Sequence, residues 1–447
     1  PQIISLIAFG FDAQKQQATV ALTRIMFLSP LLLGISSIIG SILQTNKMFF
    51  SFAVAPVFYN IGIILGAVFF VDFFGIIGLA IGVALGAFLH LIINLLPLLH
   101  LGFKFRPVFD LTHPGLRKVF WLSLPRTVGL AAYQLNFIVI TALASAVSAG
   151  SISVFNFAND LQYVPIGIVA LSFVTAVFPA LSSSWAEGDV KGFLDELYLS
   201  VNQILFLVIP ISIFLILERA QIVRVILGYG AFSWEDTRLT AAALGAFAIS
   251  IFAQSLIPLF SRAFYAISDT KTPVFINVVC VFINIFLSFW FLRLMDGGGQ
   301  FFELVGRLLK VSDMENISVL ALPLAFSVSS IINFLWLYFA FSTKISEFDS
   351  SKILTSIVKI NIAVALMAVA IYPTLRLVAG IVDMHTFAGI FLQGVSAFLV
   401  GLTVYSVVSY LLKISEFFAF WEALYLPVRK LFLSRLFPVQ VNGSEKL

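Results

Sequence analysis

The strongest chemical signal in this chain is a polar face inside an apolar run. In Phe155-Asn156-Phe157-Ala158-Asn159-Asp160-Leu161-Gln162-Tyr163-Val164-Pro165, the residues Asn156, Asn159, Asp160 and Tyr163 stand at i, i+3, i+4 and i+7, which aligns them on one face of an α-helix. A carboxylate with two amides and a phenol can hold a cation or a proton, or hydrogen-bond a polar headgroup. Counted from a helix start at Ser151, Asp160 lies roughly 13 Å along the axis at about 1.5 Å per residue, close to mid-depth of a bilayer. An acid at that depth is costly to insert, faces the bundle interior or water, and marks a ligand or ion path. The plainer alternative is a buried Asp paired with an amide or arginine for packing alone. On another segment Arg126, Tyr133, Gln134 and Thr141 share one arc; Arg126 follows Pro125 near the inner end, where snorkelling explains it equally well. Arg24, just inside the outer end of its span, reads by default as an interfacial anchor. His90 and His100 have no carboxylate or cysteine at ligand spacing, so no metal site is expected.

A second signal is the string Ser261-Arg262-Ala263-Phe264-Tyr265-Ala266-Ile267-Ser268-Asp269-Thr270-Lys271-Thr272-Pro273. It places Arg262 inside the end of one apolar segment and a helix-starting proline at the head of the next. Pro273 suits a first helical turn, and Thr272 or Asp269 can cap the free amides there. Arg262 is either an anchor or a functional cation, and Asp269, Thr270, Lys271, Thr272 and Pro273 form a short polar turn that could serve as a gate.

These residues must be positioned by membrane helices. The 447 residues are 60% hydrophobic and only 11% charged, with a mean hydropathy of +1.06, whereas ordinary soluble domains carry about 25% charged residues. Apolar runs of about 20 residues place eleven spans at 17–44, 50–71, 74–100, 119–148, 151–183, 192–217, 239–267, 273–294, 315–342, 352–376 and 384–412. Most contain a proline, such as Pro56, Pro165, Pro210, Pro258 and Pro373, which a membrane helix tolerates and transporters often use. The single cysteine, Cys280, excludes a disulfide framework. Basic residues concentrate at 101–118 and beyond Lys413, which predicts a cytoplasmic C-terminus, although Arg219, Arg224 and Arg238 weigh against a clean count. An extracytoplasmic start at Pro1, with no methionine, predicts that helices precede this segment.

The order apolar span, polar turn, apolar span occurs twice, around Gln44-Thr45-Asn46-Lys47 and around Ser268-Asp269-Thr270-Lys271, each introduced by Leu-Thr (Leu22-Thr23 and Leu239-Thr240). Both copies cross in the same direction, which predicts two lobes related by a parallel repeat. No G-x-x-x-x-G-K-[ST] loop, H-E-x-x-H, G-x-S-x-G elbow or D-D-x-x-D cluster is present, so an enzyme is not expected.

The Arg262–Pro273 string resembles the Arg-x-Phe-Tyr-Ala…Asp-Thr-x-Thr-Pro turn of the MurJ/MviN family of lipid II flippases, a branch of the MOP exporter superfamily. Phe9-Gly10-Phe11-Asp12 with Leu22-Thr23-Arg24-Ile25-Met26…Pro30 resembles the family's segment after its third helix. The resemblance runs to about residue 412 and implies three missing helices of fourteen. It implies an all-α polytopic membrane protein with a MOP/MATE-like two-lobe bundle and two extra C-terminal helices. The expected organisation is an extracytoplasmic segment 1–16, the rest of an N-lobe at 17–110, a C-lobe at 111–345, a lipid-tail groove made by 350–412, and an interfacial helix and cytoplasmic tail at 413–447.

The resemblance further implies transport of lipid II from the cytoplasmic to the outer leaflet of a bacterial inner membrane by alternating access. The cavity would be lined by Asp160, Asn156, Asn159, Tyr163, Arg262, Arg126, Gln134 and Arg24, with partners limited to the lipid-linked oligosaccharide and membrane lipids, no nucleic acid, and a monomeric state. No cofactor is expected; coupling to membrane potential, a proton or Na⁺ stays open. Asp160 departs from the family, which usually carries an arginine there to hold the pyrophosphate. An acid cannot do that, and would instead pair with an arginine or bind a coupling cation. The alternative is another MOP exporter, a polysaccharide-unit flippase or a cation-coupled multidrug antiporter. An inert scaffold or channel would not need the Asp160 cluster.

Overall fold

A computed structural model describes residues 1–100, 110, 114–296, 298–314 and 316–422, with the side chains at 100, 118, 122–126 and 128–133 left out. The Arg126, Tyr133 and His100 side chains, the 101–109 segment and most of the C-terminal tail therefore lie outside the described residues. Those that are described form an all-α chain in two compact units, Pro1–Val128 and Gly129–Leu447. The division falls inside a helix, later than the polar stretch near residue 110.

The first unit begins with α1 (Gln2–Ile7) and α2 (Ala13–Met26), the latter capped by Asp12, which accepts from the Lys15 N–H at 2.8 Å. Then come α3 (Leu28–Thr45), α4 (Phe49–Leu65), a π-helical turn at Gly66–Phe70, α5 (Val71–Phe74) and α6 (Ile77–His100); α7 (Pro114–Val147) leads into the second unit. Lipid gives helices no hydrophobic reason to associate, so close backbone approach has to supply the contact. A Cβ on Gly62 of α4 would lie 2.3 Å from the Gly86 Cα of α6, and one on Gly66 would lie 2.5 Å from the Gly82 Cα. Any side chain at these positions would push the pair apart. Between α3 and α6, Ser36 Oγ sits 2.8 Å from His90 Nδ1 and accepts from Asn94 Nδ2 at 2.9 Å, which accounts for His90 as a packing residue.

The second unit holds α8 (Ser151–Pro165), a π-helical turn at Ile166–Ala170 and α9 (Leu171–Ala186), then α10 (Val190–Leu217), α11 (Arg219–Leu227), α12 (Trp234–Ala248) and α13 (Ile251–Ala266). It continues through α14 (Lys271–Asp296), α15 (Gln300–Leu309), a 3₁₀ turn at Ile317–Leu320, α16 (Ala321–Lys344), α17 (Ser350–Ala379) and α18 (Phe387–Leu411). Its core centres on α10 and α16, where Phe193, Phe260 and Phe264 pack around Phe341 with ring centroids 5.4–6.3 Å apart. The short helix expected at 300–310 is present as α15, and Arg238 anchors the loop after it through a paired contact with Asp313 at 2.6 Å.

Among the described residues nine helices are long and apolar enough to cross a membrane, with α12–α13 as a bent tenth and residues Gln134–Val147 of α7 as a shorter apolar helix. Each of the eleven expected spans thus has a counterpart. The segment expected as one helix at 239–267 is broken, with a bend of 43° between α12 and α13. No proline or glycine sits at the break. The Ser250 N–H bonds to the Phe247 carbonyl at 3.0 Å, and the Ala246 carbonyl it leaves free accepts from Ser327 Oγ at 2.8 Å. A neighbouring hydroxyl thus satisfies the carbonyl that the bend releases.

Candidate functional site

The helices α13 and α16 form a wall with different chemistry on its two sides. On one side Gln254, Ile257 and Pro258 of α13 and Phe326, Ser329, Ser330 and Asn333 of α16 face a cavity of about 360 Å³. Asn136 of α7, Tyr163 of α8, and Asn277 and Asn284 of α14 complete its polar lining. On the other side Phe252, Leu256 and Phe260 of α13 and Phe334, Leu335, Tyr338 and Phe339 of α16 face a cavity of about 760 Å³, closed by apolar residues of α10 and α17. Residues three or four apart share a helix face, so two registers of each helix supply the two linings.

The smaller cavity sets amides and hydroxyls among apolar residues such as Ile166, Leu171, Val278 and Phe326, and has no charged side chain among its lining residues. Asn284 Nδ2 donates to Asn136 Oδ1 at 2.9 Å, and Ser329 Oγ donates to the Cys280 carbonyl at 2.9 Å. Gln254 Nε2 donates to Gln162 Oε1 at 2.9 Å, Gln162 Nε2 donates back to Gln254 Oε1 at 3.2 Å, and Gln254 Nε2 also reaches Ser250 Oγ at 2.9 Å. This network ties the wall to the α12–α13 bend. The Oδ1 atoms of Asn277, Asn284 and Asn333 are buried without a hydrogen-bond partner among the described residues. Buried acceptors of this kind are normally satisfied, so the cavity presents unmet acceptor capacity to a donor-bearing ligand or to water.

Of the expected site residues whose side chains are described, only Tyr163 lines this cavity; the Arg126 side chain lies outside the described residues. Asp160 is exposed on α8 of the second unit and makes no ion pair or side-chain hydrogen bond among the described residues, so it is not a buried packing residue. Asn159 is half-buried and accepts from Gln162 Nε2 at 3.2 Å, while Asn156 keeps a buried, unpartnered Oδ1. Gln134 and Arg24 are exposed, Arg24 in the last turn of α2. Arg262 is half-buried and turned toward α9, where it donates to the Val174 carbonyl at 3.1 Å and lies 5.4 Å from the Phe178 ring centroid.

The turn between α13 and α14 is built by Asp269 rather than by Thr272. Asp269 Oδ1 accepts from the Lys271 and Thr272 N–H groups at 3.1 and 3.0 Å, Oδ2 accepts from Thr272 Oγ1 at 2.6 Å, and Lys344 of α16 pairs with it. Burial pushes this carboxyl up, but Lys344 and Thr272 outweigh it and hold it well below the usual carboxylate range. Ser268, at φ 63°, closes the helix end, and its N–H and that of Asp269 reach back to Tyr265 and Phe264. At the other polar turn Lys47, at φ 61°, does the same, with the Lys47 and Met48 N–H groups reaching Gln44 and Leu43. The two polar turns read as a repeat thus close their helices by the same hydrogen-bond pattern.

The amides missed in the sequence were Asn136, Gln254 and Asn333, and Asn277 and Asn284 as cavity residues. Their signal was a seven-residue spacing of Asn277 and Asn284 within an apolar run, weaker than a carboxylate because an amide costs less to bury.

The family described as Lipid II flippase MurJ matches residues 1–393. The chain belongs to the MurJ family. It is 28% identical over 291 residues to a probable lipid II flippase MurJ of Rhizobium tropici, covering 63% of this chain and 54% of the relative. It is 30% identical over 294 residues to that of Buchnera aphidicola subsp. Schizaphis graminum, covering 64% and 57%, and 26% identical over 309 residues to a lipid II flippase MurJ of Burkholderia cenocepacia, covering 66% and 59%. These alignments thus span little more than half the length of the curated MurJ relatives. Among solved structures it is similar to a lipid II flippase MurJ in an inward closed conformation, with a TM-score of 0.71 and 26% identity over 92% of this chain and 77% of that one. The MurJ membership and the nine apolar helices make it a multi-pass membrane protein.

Proposed function

We propose that this chain forms most of a flippase that carries lipid II from the cytoplasmic to the outer leaflet of a bacterial inner membrane by alternating access, with its C-terminus in the cytoplasm. The observation that carries this reading is the family match across residues 1–393. The paired cavities support it, because a lipid-linked sugar has one part that needs hydrogen bonds and another that needs none. Exposed Asp160 on α8 and the amides behind it would meet the polar headgroup; the apolar space along α17 suits a polyprenyl tail, which would exchange lipid hydrocarbon for an equally apolar surface and so asks only for volume and the absence of charge. Here the tail space would be bounded by α10, α13, α16 and α17, while α18, the other helix of the groove expected at 350–412, contributes none of its lining residues. Coupling to the membrane potential or to a cation would act through the exposed Asp160.

The test is complementation. Cells depleted of their own lipid II flippase should resume growth, and lipid II should reappear in the outer leaflet, when the protein is present in their membrane. Normal membrane abundance without lipid II in the outer leaflet would overturn this reading, and a cation-dependent drug-resistance phenotype in the same cells would favour the antiporter alternative.

A further inference from the structure

Glu218 is the residue between α10 and α11, with φ −103° and ψ 16°, and it is 1% exposed. Its backbone is satisfied on both sides, the N–H bonding to Phe214 and the carbonyl accepting from Ile222, both at 2.9 Å. Its carboxyl is not. Oε1 is buried without a hydrogen-bond partner, and Oε2 lies against α18, only 3.3 Å from where a Cβ on Gly394 would stand. The lack of a side chain at Gly394 creates the slot. Beside it Gln221 Nε2 donates to Gln393 Oε1 at 3.1 Å, and Gln393 Nε2 donates to the Leu375 carbonyl at 2.7 Å, so amides alone bridge α11, α18 and α17 at this point.

Among the described residues no neighbouring cation pairs with the acid. On α11, Arg219 donates to the Ile216 and Leu309 carbonyls at 3.0 and 3.1 Å, and Arg224 donates to the Phe232 carbonyl at 3.1 Å. On α12, Arg238 pairs with Asp313, Glu235 and Asp236 belong to its first turn, and Ser233 caps it by accepting from the Asp236 N–H. On α15, Arg307 pairs with Glu303, and Lys310 ends that helix. On α17, Arg376 reaches the Tyr372 hydroxyl; in the α17–α18 hairpin Asp383 accepts from the His385 N–H and His385 is exposed. Described residues of α18 include no charged side chain. An ionised carboxylate placed in this slot would pay desolvation with no partner to offset it. Burial pushes the Glu218 carboxyl up to about 8.

We propose that Glu218 is a proton-binding site that latches the α17–α18 hairpin to the α10–α11 elbow: the carboxyl takes a proton from water as the hairpin docks and returns it when the contact opens. A cavity of about 440 Å³ between α11 and the hairpin reaches Gln221, next to the slot, and gives water and protons a route. The sign follows from linkage. A free glutamate titrates near 4.3 and the docked one near 8, so the docked state holds the extra proton between these values and docking weakens as pH rises through that window. This inference stands on the second unit alone and holds whichever cargo is moved.

The test uses the whole protein in detergent, with spin labels on cysteines introduced at Tyr229 and Ile381, which are 94% and 83% exposed, while the single native cysteine, Cys280, is buried. Between pH 5 and pH 9 the inter-label distance distribution should broaden toward longer distances, and Glu218→Gln, which keeps the shape and cannot ionise, should remain docked throughout. Infrared difference spectra should show a protonated carboxylic acid band near neutral pH that Glu218→Gln removes. A Glu218→Gln protein that keeps the wild-type pH dependence, or an ionised Glu218 at neutral pH, would overturn the proposal. Should Glu218→Gln fail to fold, the infrared titration of the wild-type protein decides alone, since a carboxylic acid band that does not titrate in this window is equally fatal.

Discussion

The two cavities flanking α13 and α16 share a wall and differ in almost everything else. One sets amides and hydroxyls among apolar residues, pairs Asn284 with Asn136, and leaves three side-chain amide oxygens without a partner among the described residues; the other is about twice as large and nearly all aliphatic and aromatic. The same two helices serve both because a helix presents a new chemistry every 100° or so of rotation. The contrast teaches that selectivity for a cargo with two natures can be written into one pair of helices by register alone. A polar cavity demands specific partners, residue by residue, whereas an apolar one demands only volume and the absence of charge.

The sharpest way to break this contrast is to put a charge on its apolar side. Ile213→Arg, at a half-buried lining position, should cost about 2.5–3.5 kcal/mol of tail or helix insertion and lower lipid II export at least tenfold in cells whose membranes contain normal amounts of the protein. Unchanged export would mean the tail travels elsewhere.

The polar side breaks differently. Asn284→Leu leaves Asn136 Oδ1 without its donor and should cost about 1–3 kcal/mol, read as a lower melting temperature in detergent. Replacing both residues by leucine should recover part of that loss, because no buried acceptor is then orphaned. If the double variant is as unstable as the two single losses added together, the pair is not the unit.

A smaller effect separates stability from function. Asp160 is exposed, so Asp160→Ala should change folding stability by less than about 0.5 kcal/mol while lowering transport several-fold. Wild-type transport in this variant would remove Asp160 from the pathway.

Last is the turn outside both cavities, where the smallest effect on export is expected. The depressed Asp269 carboxyl stabilises the protein at any pH above the ordinary carboxylate value of about 3.9, and that contribution fades as pH falls below it toward the lower native value. Asp269→Asn should therefore cost about 1 kcal/mol at neutral pH, with the gap to wild type closing in acid. Arg262→Ala, which loses the Val174 carbonyl contact, should slow export more than Lys271→Ala, whose side chain makes no such contact among the described residues; equal and slight effects would make Arg262 a simple anchor.

The long helices were legible because each is a run of apolar residues, and a bilayer leaves a chain no other way to satisfy its backbone. The turn at Asp269 was legible in its residues, though the choice of Asp269 over Thr272 as cap was not, because Lys344, 75 positions away in sequence, completes it. The site was legible only in part. Asp160 and Tyr163 stood out by charge and spacing on α8, but only Tyr163 proved to face the cavity, whose other polar members come from α7, α13, α14 and α16. The break between α12 and α13 carried no local mark beyond Ser250, and the hydroxyl that satisfies its freed carbonyl belongs to Ser327, 81 positions away on α16.

By itself, then, the sequence determined the solvent, the helices, their approximate ends and the family, because hydrophobicity, helix length and short motifs are local quantities. Tertiary structure alone decided which face of each helix meets which neighbour, and hence that Asn284 finds Asn136, that Gln254 finds Gln162 and that Glu218 comes to lie against Gly394. The physical reason is that a buried polar group is priced by its partner, and partners 92 or 148 residues apart are brought together by packing rather than by sequence.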